Sequence, residues 1–352
     1  MYTTLNYRIK DSNVSDTLNK WASDANRIWN MCNEINMISW QKFQRPMSGF
    51  DLGYSAKGMS KMMAIPQRSI GCICTEYATR TKQFKKRKLN WRSYKKNTGW
   101  IPFATQQMKC FSDGIFFNGQ KFKLWDYKPF DEKTIKSGSF QQDARGRWYV
   151  SITVEIEASS EIPKTGKAVG IDLGLKSLVT LSDGTVYDRV NLTEMYAKKL
   201  ATAQLAGNLM QVRNIHAKIK NTRKNFYHEI SLAIVKNYDE IYIGNISSSK
   251  LIKTKMAKSV SDAAWYDFKF MLKYKAERAG KKFVEVNESF STVTCSSCLE
   301  RTGPSGLSAL GVRSWICSHC GAAHDRDVNA AKNILRSGQC ADLRVKGSSL
   351  KN

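Results

Sequence analysis

The chain has 352 residues, enough for two or three domains, and 42% of them are hydrophobic, which supports real cores. Its 56 Lys and Arg against 30 Asp and Glu leave a net charge of +26, far beyond what solubility needs. A polyanion is the expected partner, nucleic acid foremost. No stretch approaches the roughly 18 apolar residues of a membrane span, and the opening MYTTLNY does not read as a signal peptide, which argues against membrane and secreted classes. A cytoplasmic, nucleoid-associated monomer is expected.

Residues 2–9 read as a strand and 14–44 as a helix carrying Leu18, Trp21, Ala25, Ile28, Trp29, Cys32 and Ile35 at helical spacing. Gly49, Gly53 and Gly58 predict a loop, and 61–90 a second helical stretch. Short strands separated by Gly, Asn and Asp turns follow from 100 to 160. The first half thus reads as a β-barrel (1–10 and 100–164) interrupted by a helical insertion (11–99). The second half opens on the apolar strand AVGIDLG (168–174) and a hairpin over 177–187 turning at Asp183-Gly184. Helices over 193–220 and 222–237, a strand over 238–244, a helix over 259–279 and a strand over 282–287 come next. A last helix begins near Val328. This is an α/β, RNase H-like order over 165–289 and 323–338, interrupted at 290–322 and followed by a tail (339–352) without apolar periodicity.

The interruption carries Cys295-x-x-Cys298 and Cys317-x-x-Cys320. Two such turns aim four thiolates at one point, the ligand set of a structural Zn2+. His319 and His324 lie close by but exceed a set already closed by four sulfurs. The other five cysteines, Cys32, Cys72, Cys74, Cys110 and Cys340, are spaced too irregularly for a disulfide framework and read as reduced thiols.

Asp172 ends the first apolar strand of the second half. In an RNase H-like sheet that strand is central, and its Asp can bridge two divalent cations. Asp327 opens the last helix and can face that strand, unless it serves as the helix N-cap, with Asp325 as its competitor for the ligand role. Mg2+ brings its own waters, so few carboxylates suffice. Arg80, Lys82, Lys85, Lys86, Arg87, Lys88, Arg92, Lys95 and Lys96 run without an acid among them, interleaved with Phe84, Trp91, Tyr94 and Trp100. Cations neutralise phosphates and aromatic faces stack on unpaired bases. The best nucleic-acid contacts are Lys82, Lys85, Lys86, Arg87, Lys88, Trp91, Arg92 and Tyr94, with Arg223 and Lys224 from a second basic stretch.

GIDLGLKSLVTLSDG, RKNFYHEIS, WYDFKFMLKYKAERAGKKFVEV, the TCSSC…CSHCG ribbon and HDRDVNAAKNIL together resemble TnpB, the transposon-encoded, RNA-guided RuvC-type nuclease family related to type V CRISPR effectors. The resemblance covers 168–336 closely; the first half agrees in layout only, as a wedge barrel with a helical recognition lobe. It implies a guide RNA from the transposon end, target double-stranded DNA read beside a short adjacent motif, and Mg2+-dependent phosphodiester hydrolysis, with Asp172 and Asp327 at the first and third catalytic positions.

The second position departs from the family. Where the resemblance expects a Glu at the end of the fourth strand, this chain has Gly244. A relocated glutamate is expected at Glu288, at the end of the adjacent fifth strand and about 4.8 Å further away. Gly244 would leave room for it. Glu285 reads as a solvent-face or helix-pairing residue, and Asp239 and Glu240 sit at the wrong strand end. The alternatives are a nuclease-inactive, guide-directed DNA-binding repressor and a zinc-ribbon DNA binder without guide RNA.

Overall fold

The computed structural model describes residues 2–10, 14–93, 98–104, 108–156, 162–246, 260, 263–306, 309 and 311–348, with side chains to residue 341. The chain divides into two compact units, Met1–Glu157 and Ala158–Asn352.

In the first unit, β1 (Tyr2–Arg8) pairs antiparallel with β7 (Trp148–Glu155), which pairs with β6 (Ile135–Gln142), which pairs with β2 (Trp100–Ala104). A second sheet holds β3 (Met108–Phe111), β4 (Gly114–Phe117) and β5 (Gln120–Lys123), and an Ile9–Leu124 bridge joins the two. The barrel expected from the sequence therefore takes the form of two bridged sheets. Phe103, Phe117, Phe122 and Phe140 fill their common core together with Trp21 of α1 (Val14–Phe43).

Two expectations in this unit are corrected. The glycine-marked loop contains a helix, α2 (Gly49–Ser55), because Ser48 and Asp51 form a reciprocal capping box that satisfies the first free amides. The second long helix, α3 (Gln67–Phe84), starts after Pro66 and stops at Lys85, whose φ of 51° breaks the helical path. The basic residues beyond it are therefore not on a helix.

In the second unit, β8 (Ala168–Leu173), β9 (Ser177–Leu181), β10 (Val186–Asp188), β11 (Glu240–Gly244) and β12 (Lys282–Val286) form one sheet in the order β10-β9-β8-β11-β12. β8 is central, β9 is antiparallel to it, and β11 and β12 run parallel, as the sequence order required. After α4 (Leu192–Met195) and α5 (Ala197–Leu205), the long helix α6 (Leu209–Asn237) is continuous through Asn221. The expected break lies instead at Gly207, with φ 62°, and Asn208, whose side chain accepts the Gln211 amide at 2.9 Å. The described part of the next helix, α7, is Trp265–Arg278, and most of the segment before it lies outside the described residues.

The two faces of the sheet differ by the strand period of two. Val169, Ile171, Leu173, Ile241 and Ile243 pack on α6 and α7. Gly170, Asp172, Tyr242, Gly244 and Val286 share the other face, which is covered by α8 (Arg326–Ser348). This helix runs well past residue 338, where the sequence places its end; Ile334 and Leu335 anchor its middle on Tyr242 and Val286. Gly170 is the closest approach: a Cβ there would overlap the Ala331 carbonyl and crowd the Leu335 amide. Gly170→Ala should therefore destabilise this unit by about 1–3 kcal/mol, as overpacking does. An unchanged thermal midpoint would mean that α8 is not pressed against the strand.

Candidate functional site

The acids meet where the central strands end. In the parallel register Ile243 lies beside Ile171 and Gly244 beside Val286. One step further brings Gly244 level with Asp172 on the face under α8. Glu288 stands two residues past Val286, so it keeps the same face. Its side chain folds back over Gly244: a Cβ built there would run into a Glu288 carboxylate oxygen and lie 3.3 Å from the Glu288 Cβ. The glycine is the vacancy that the glutamate fills.

Electrostatics link the three nominated acids. Burial pushes the Asp172 carboxyl well above its usual range, and the Asp327 and Glu288 charges push it the same way. Burial also raises Glu288, opposed by the Lys269 charge and the Ile246 main-chain N–H. Of the three, Asp172 is the one whose carboxyl both burial and its two acidic neighbours raise.

Asp325, not Asp327, caps α8. Its Oδ1 accepts the amides of Asp327 at 3.0 Å and Val328 at 2.9 Å. That leaves the Asp327 carboxylate for other partners, and Arg313 takes it through one guanidinium nitrogen at 3.1 and 3.2 Å. Glu285 pairs with Lys269 of α7 at 2.8 Å, and Asp239 pairs with Lys281 at 3.0 Å, so neither belongs to the site. Glu240 accepts the Tyr242 hydroxyl at the far end of its strand.

The four cysteines form a second centre. Their sulfurs all lie within 4.8 Å of one another. Cys295 and Cys320 are 3.7 Å apart and Cys298 and Cys317 are 3.6 Å apart. A tetrahedron with bonds of about 2.3 Å has edges near ~3.8 Å, so the set fits Zn2+. The Thr302 hydroxyl holds the Cys317 thiol down to about 5. His319 is exposed, whereas His324 bonds Cys295 Sγ through Nε2 at 3.0 Å and packs on Trp315. The ribbon strands β13 (Ser314–Ile316) and β14 (Ala323–Asp325) lead into α8.

Sequence reasoning missed two asparagines. Asn329 and Asn333 are buried one turn apart on α8, and both donate to the carbonyls of Ser291 and Thr294, at 2.6–3.2 Å. The visible signal was two amides at i, i+4 on the buried face of a helix.

The basic segment beyond α3 is an extended strap laid along α1. Asn36 donates to the Arg87 carbonyl at 2.7 Å; Asn33 and Asn30 each clasp one residue at both its main-chain groups, Leu89 and Arg92. Three asparagines at a spacing of three thus act as a main-chain partner for the strap. Lys82, Lys85, Lys86, Arg87, Lys88 and Trp91 are left exposed. Arg92 is a correction: its guanidinium sits 5.3 Å from the Trp29 ring and 5.1 Å from the Trp100 ring and donates to Asn26, a packed cation rather than an open phosphate contact. Tyr94 lies outside the described residues. In α6, Lys224 is exposed and Arg223 is half-buried.

Residues 151–255 match the family model described as Probable transposase (OrfB_IS605), and residues 265–334 match the Cas12f1-like, TNB domain. The second half of the chain is TnpB-like. A protein of Streptomyces pristinaespiralis named as an RNA-guided DNA endonuclease is 36% identical over 57% of this chain and 52% of its own length. A TnpB-like protein of Acanthamoeba polyphaga mimivirus is 25% identical over 88% of this chain and 63% of its own. The chain thus spans between half and two thirds of the length of these curated relatives. A cryo-EM structure of a Cas12f1–sgRNA–target DNA complex aligns over 96% of this chain and all of that one, at 14% identity and a TM-score of 0.40. No helix among the described residues is long and apolar enough to cross a membrane.

Two outcomes follow from the site's physics. A carboxyl whose value is raised on folding opposes folding once the pH exceeds its unfolded value, so stability falls as pH rises through the window between the two. In metal-free protein, Asp172→Asn should raise the thermal midpoint at neutral pH, and the gain should vanish below about pH 4. An equal gain at both would contradict the burial argument. Leu299, just after the first CxxC, has φ 72°, where the matching Gly321 of the second has 73°. Leu299→Gly should stabilise the ribbon by about 1 kcal/mol by removing left-handed strain; calorimetry reads the shift.

Proposed function

We propose that this chain is an RNA-guided DNA endonuclease of a transposon, with an RNase H-like (RuvC) catalytic domain and its second catalytic carboxylate moved to Glu288. The observation that carries this reading is the Glu288 side chain lying in the space above Gly244, on the sheet face that bears Asp172. Asp172, Glu288 and Asp327 would hold Mg2+ through oxygen. When bound, the cations supply Lewis acidity to the attacking water and to the leaving oxygen. Burial raises the Asp172 carboxyl, so protons would compete with a cation there and cleavage should weaken as the medium is acidified. Lys85, Lys86, Arg87 and Lys88, exposed on the strap, would neutralise phosphates of the guide or target, and Trp91 would stack on an unpaired base. Within the first unit, the two bridged sheets correspond to the wedge barrel and α1 to α3 to the recognition lobe. Zn2+ on the four cysteines would be structural.

A second reading is a guide-directed DNA binder that does not cut. It is favoured by Arg313, whose cation occupies the Asp327 carboxylate.

Guide-loaded protein, assayed on target DNA with Mg2+, separates the two. Glu288→Ala should abolish cutting while target binding persists, and Glu285→Ala should cut like the unmodified protein. Near-wild-type cutting by Glu288→Ala would refute the relocation. Binding without cutting by the unmodified protein would support the second reading, and target binding unaffected by RNase would point to a DNA binder that needs no guide.

A further inference from the structure

Phe290 is two residues beyond Glu288 and has a left-handed backbone, φ 65°. That conformation brings a Cβ against the backbone and is an outlier for a bulky aromatic. Core burial does not offset the strain, because the side chain stays 56% exposed. The surrounding loop imposes the conformation. The Ser291 amide bonds the Glu288 carbonyl at 3.1 Å, the Val293 and Thr294 amides bond the Phe290 carbonyl at 3.2 and 3.0 Å, and Asn329 and Asn333 grip the segment from α8. The Arg301 guanidinium lies over the ring, 4.0 Å from its centroid. A cavity of about 240 Å³ opens beside it, lined by Asn287, Ser289, Phe290, Leu299 and the exposed Arg336 among others.

We propose that Phe290 and Arg301 form a stacking platform for an unpaired nucleobase of the single strand entering the acid site. Three observations support this. The ring is held out at an energetic disadvantage, as happens where a function requires it. A guanidinium and an aromatic face together take a base without regard to its identity. Arg336 supplies a cation for the adjoining phosphate. Asn287 and Ser289, the chain neighbours of Glu288, also line the cavity, so it opens at the turn that carries that acid. The proposal deepens the nuclease reading and rests on it for the identity of the strand.

Binding can be tested without guide, metal or cleavage. The probes are a fluorescent oligodeoxythymidylate and an abasic strand of equal length, titrated by anisotropy. The unmodified protein should prefer the base-bearing strand. Phe290→Gly, which also relieves the backbone strain and so should fold at least as stably, should lose about tenfold in affinity for it. Its affinity for the abasic strand and its salt dependence should not change. Phe290→Trp should keep the preference. A strand carrying 5-iododeoxyuridine should photocrosslink to the peptide containing Phe290. Unchanged preference in Phe290→Gly, or crosslinks confined to other peptides, would overturn the platform. If the unmodified protein fails to cut but Phe290→Gly still abolishes the preference, the platform stands and the nuclease reading falls. If it cuts and the preference survives in Phe290→Gly, the reverse holds.

Discussion

The contact between α8 and the central strand is the constraint on which the second unit depends. A helix backbone can approach a strand this closely only where the strand has no side chain, and Gly170 provides that gap beneath the Ala331 carbonyl. Gly338 repeats the device one strand over, where a Cβ would meet the Tyr242 ring. With these two contacts fixed, the start of α8 falls at the end of β8. Asp327 then comes near enough to Asp172 to raise its proton affinity. The helix thereby converts two acids that are 155 positions apart in the chain into one electrostatic unit.

The ribbon is built into the same clamp. Its last strand supplies Asp325, the cap of α8, and His324, the partner of a cluster thiolate. Its first turn is gripped from the helix side by Asn329, which accepts the Ser296 amide while donating to Ser291 and Thr294. Metal at the four sulfurs would therefore stiffen both the end of the segment after Glu288 and the start of the helix bearing Asp327. Arg313, which reaches Asp327 from β13's leading edge, ties the ribbon to the acid directly.

Periodicity and punctuation made much of this legible. The strand order of the second unit, the central place of β8 and the four-thiolate set follow from apolar runs, a DG turn and CxxC spacing, which are local signals. The failures have two causes, a local signal outweighed by its neighbours and a distant partner that no local signal shows. Three glycines outweigh the Ser48–Asp51 box along the chain, so a loop is expected where α2 forms. Lysines and arginines have good helix propensity, so composition alone continues α3 into the strap. What holds it extended is an asparagine series on α1, some fifty residues away, which no window along the strap contains. Arg92 looked like its neighbours because charge patterning carries no information about two tryptophans converging from other elements.

The approach of Glu288 to Gly244 is legible for a different reason. A missing ligand and a surplus one have no meaning separately: Gly244 alone reads as a decayed site, and Glu288 alone as a strand-end surface charge. Strand adjacency makes them one observation, because β11 and β12 are parallel neighbours in register and Gly244 lies beside Val286. The glycine removes the side chain that would collide with the glutamate, and the glutamate reaches over it from one strand further out. An unbranched reach of that kind brings its burial with it, and the raised Glu288 carboxyl is the consequence. Glu288 is held over Gly244 less by the strand than by the turn after it, the turn that Phe290 strains and the two α8 asparagines secure.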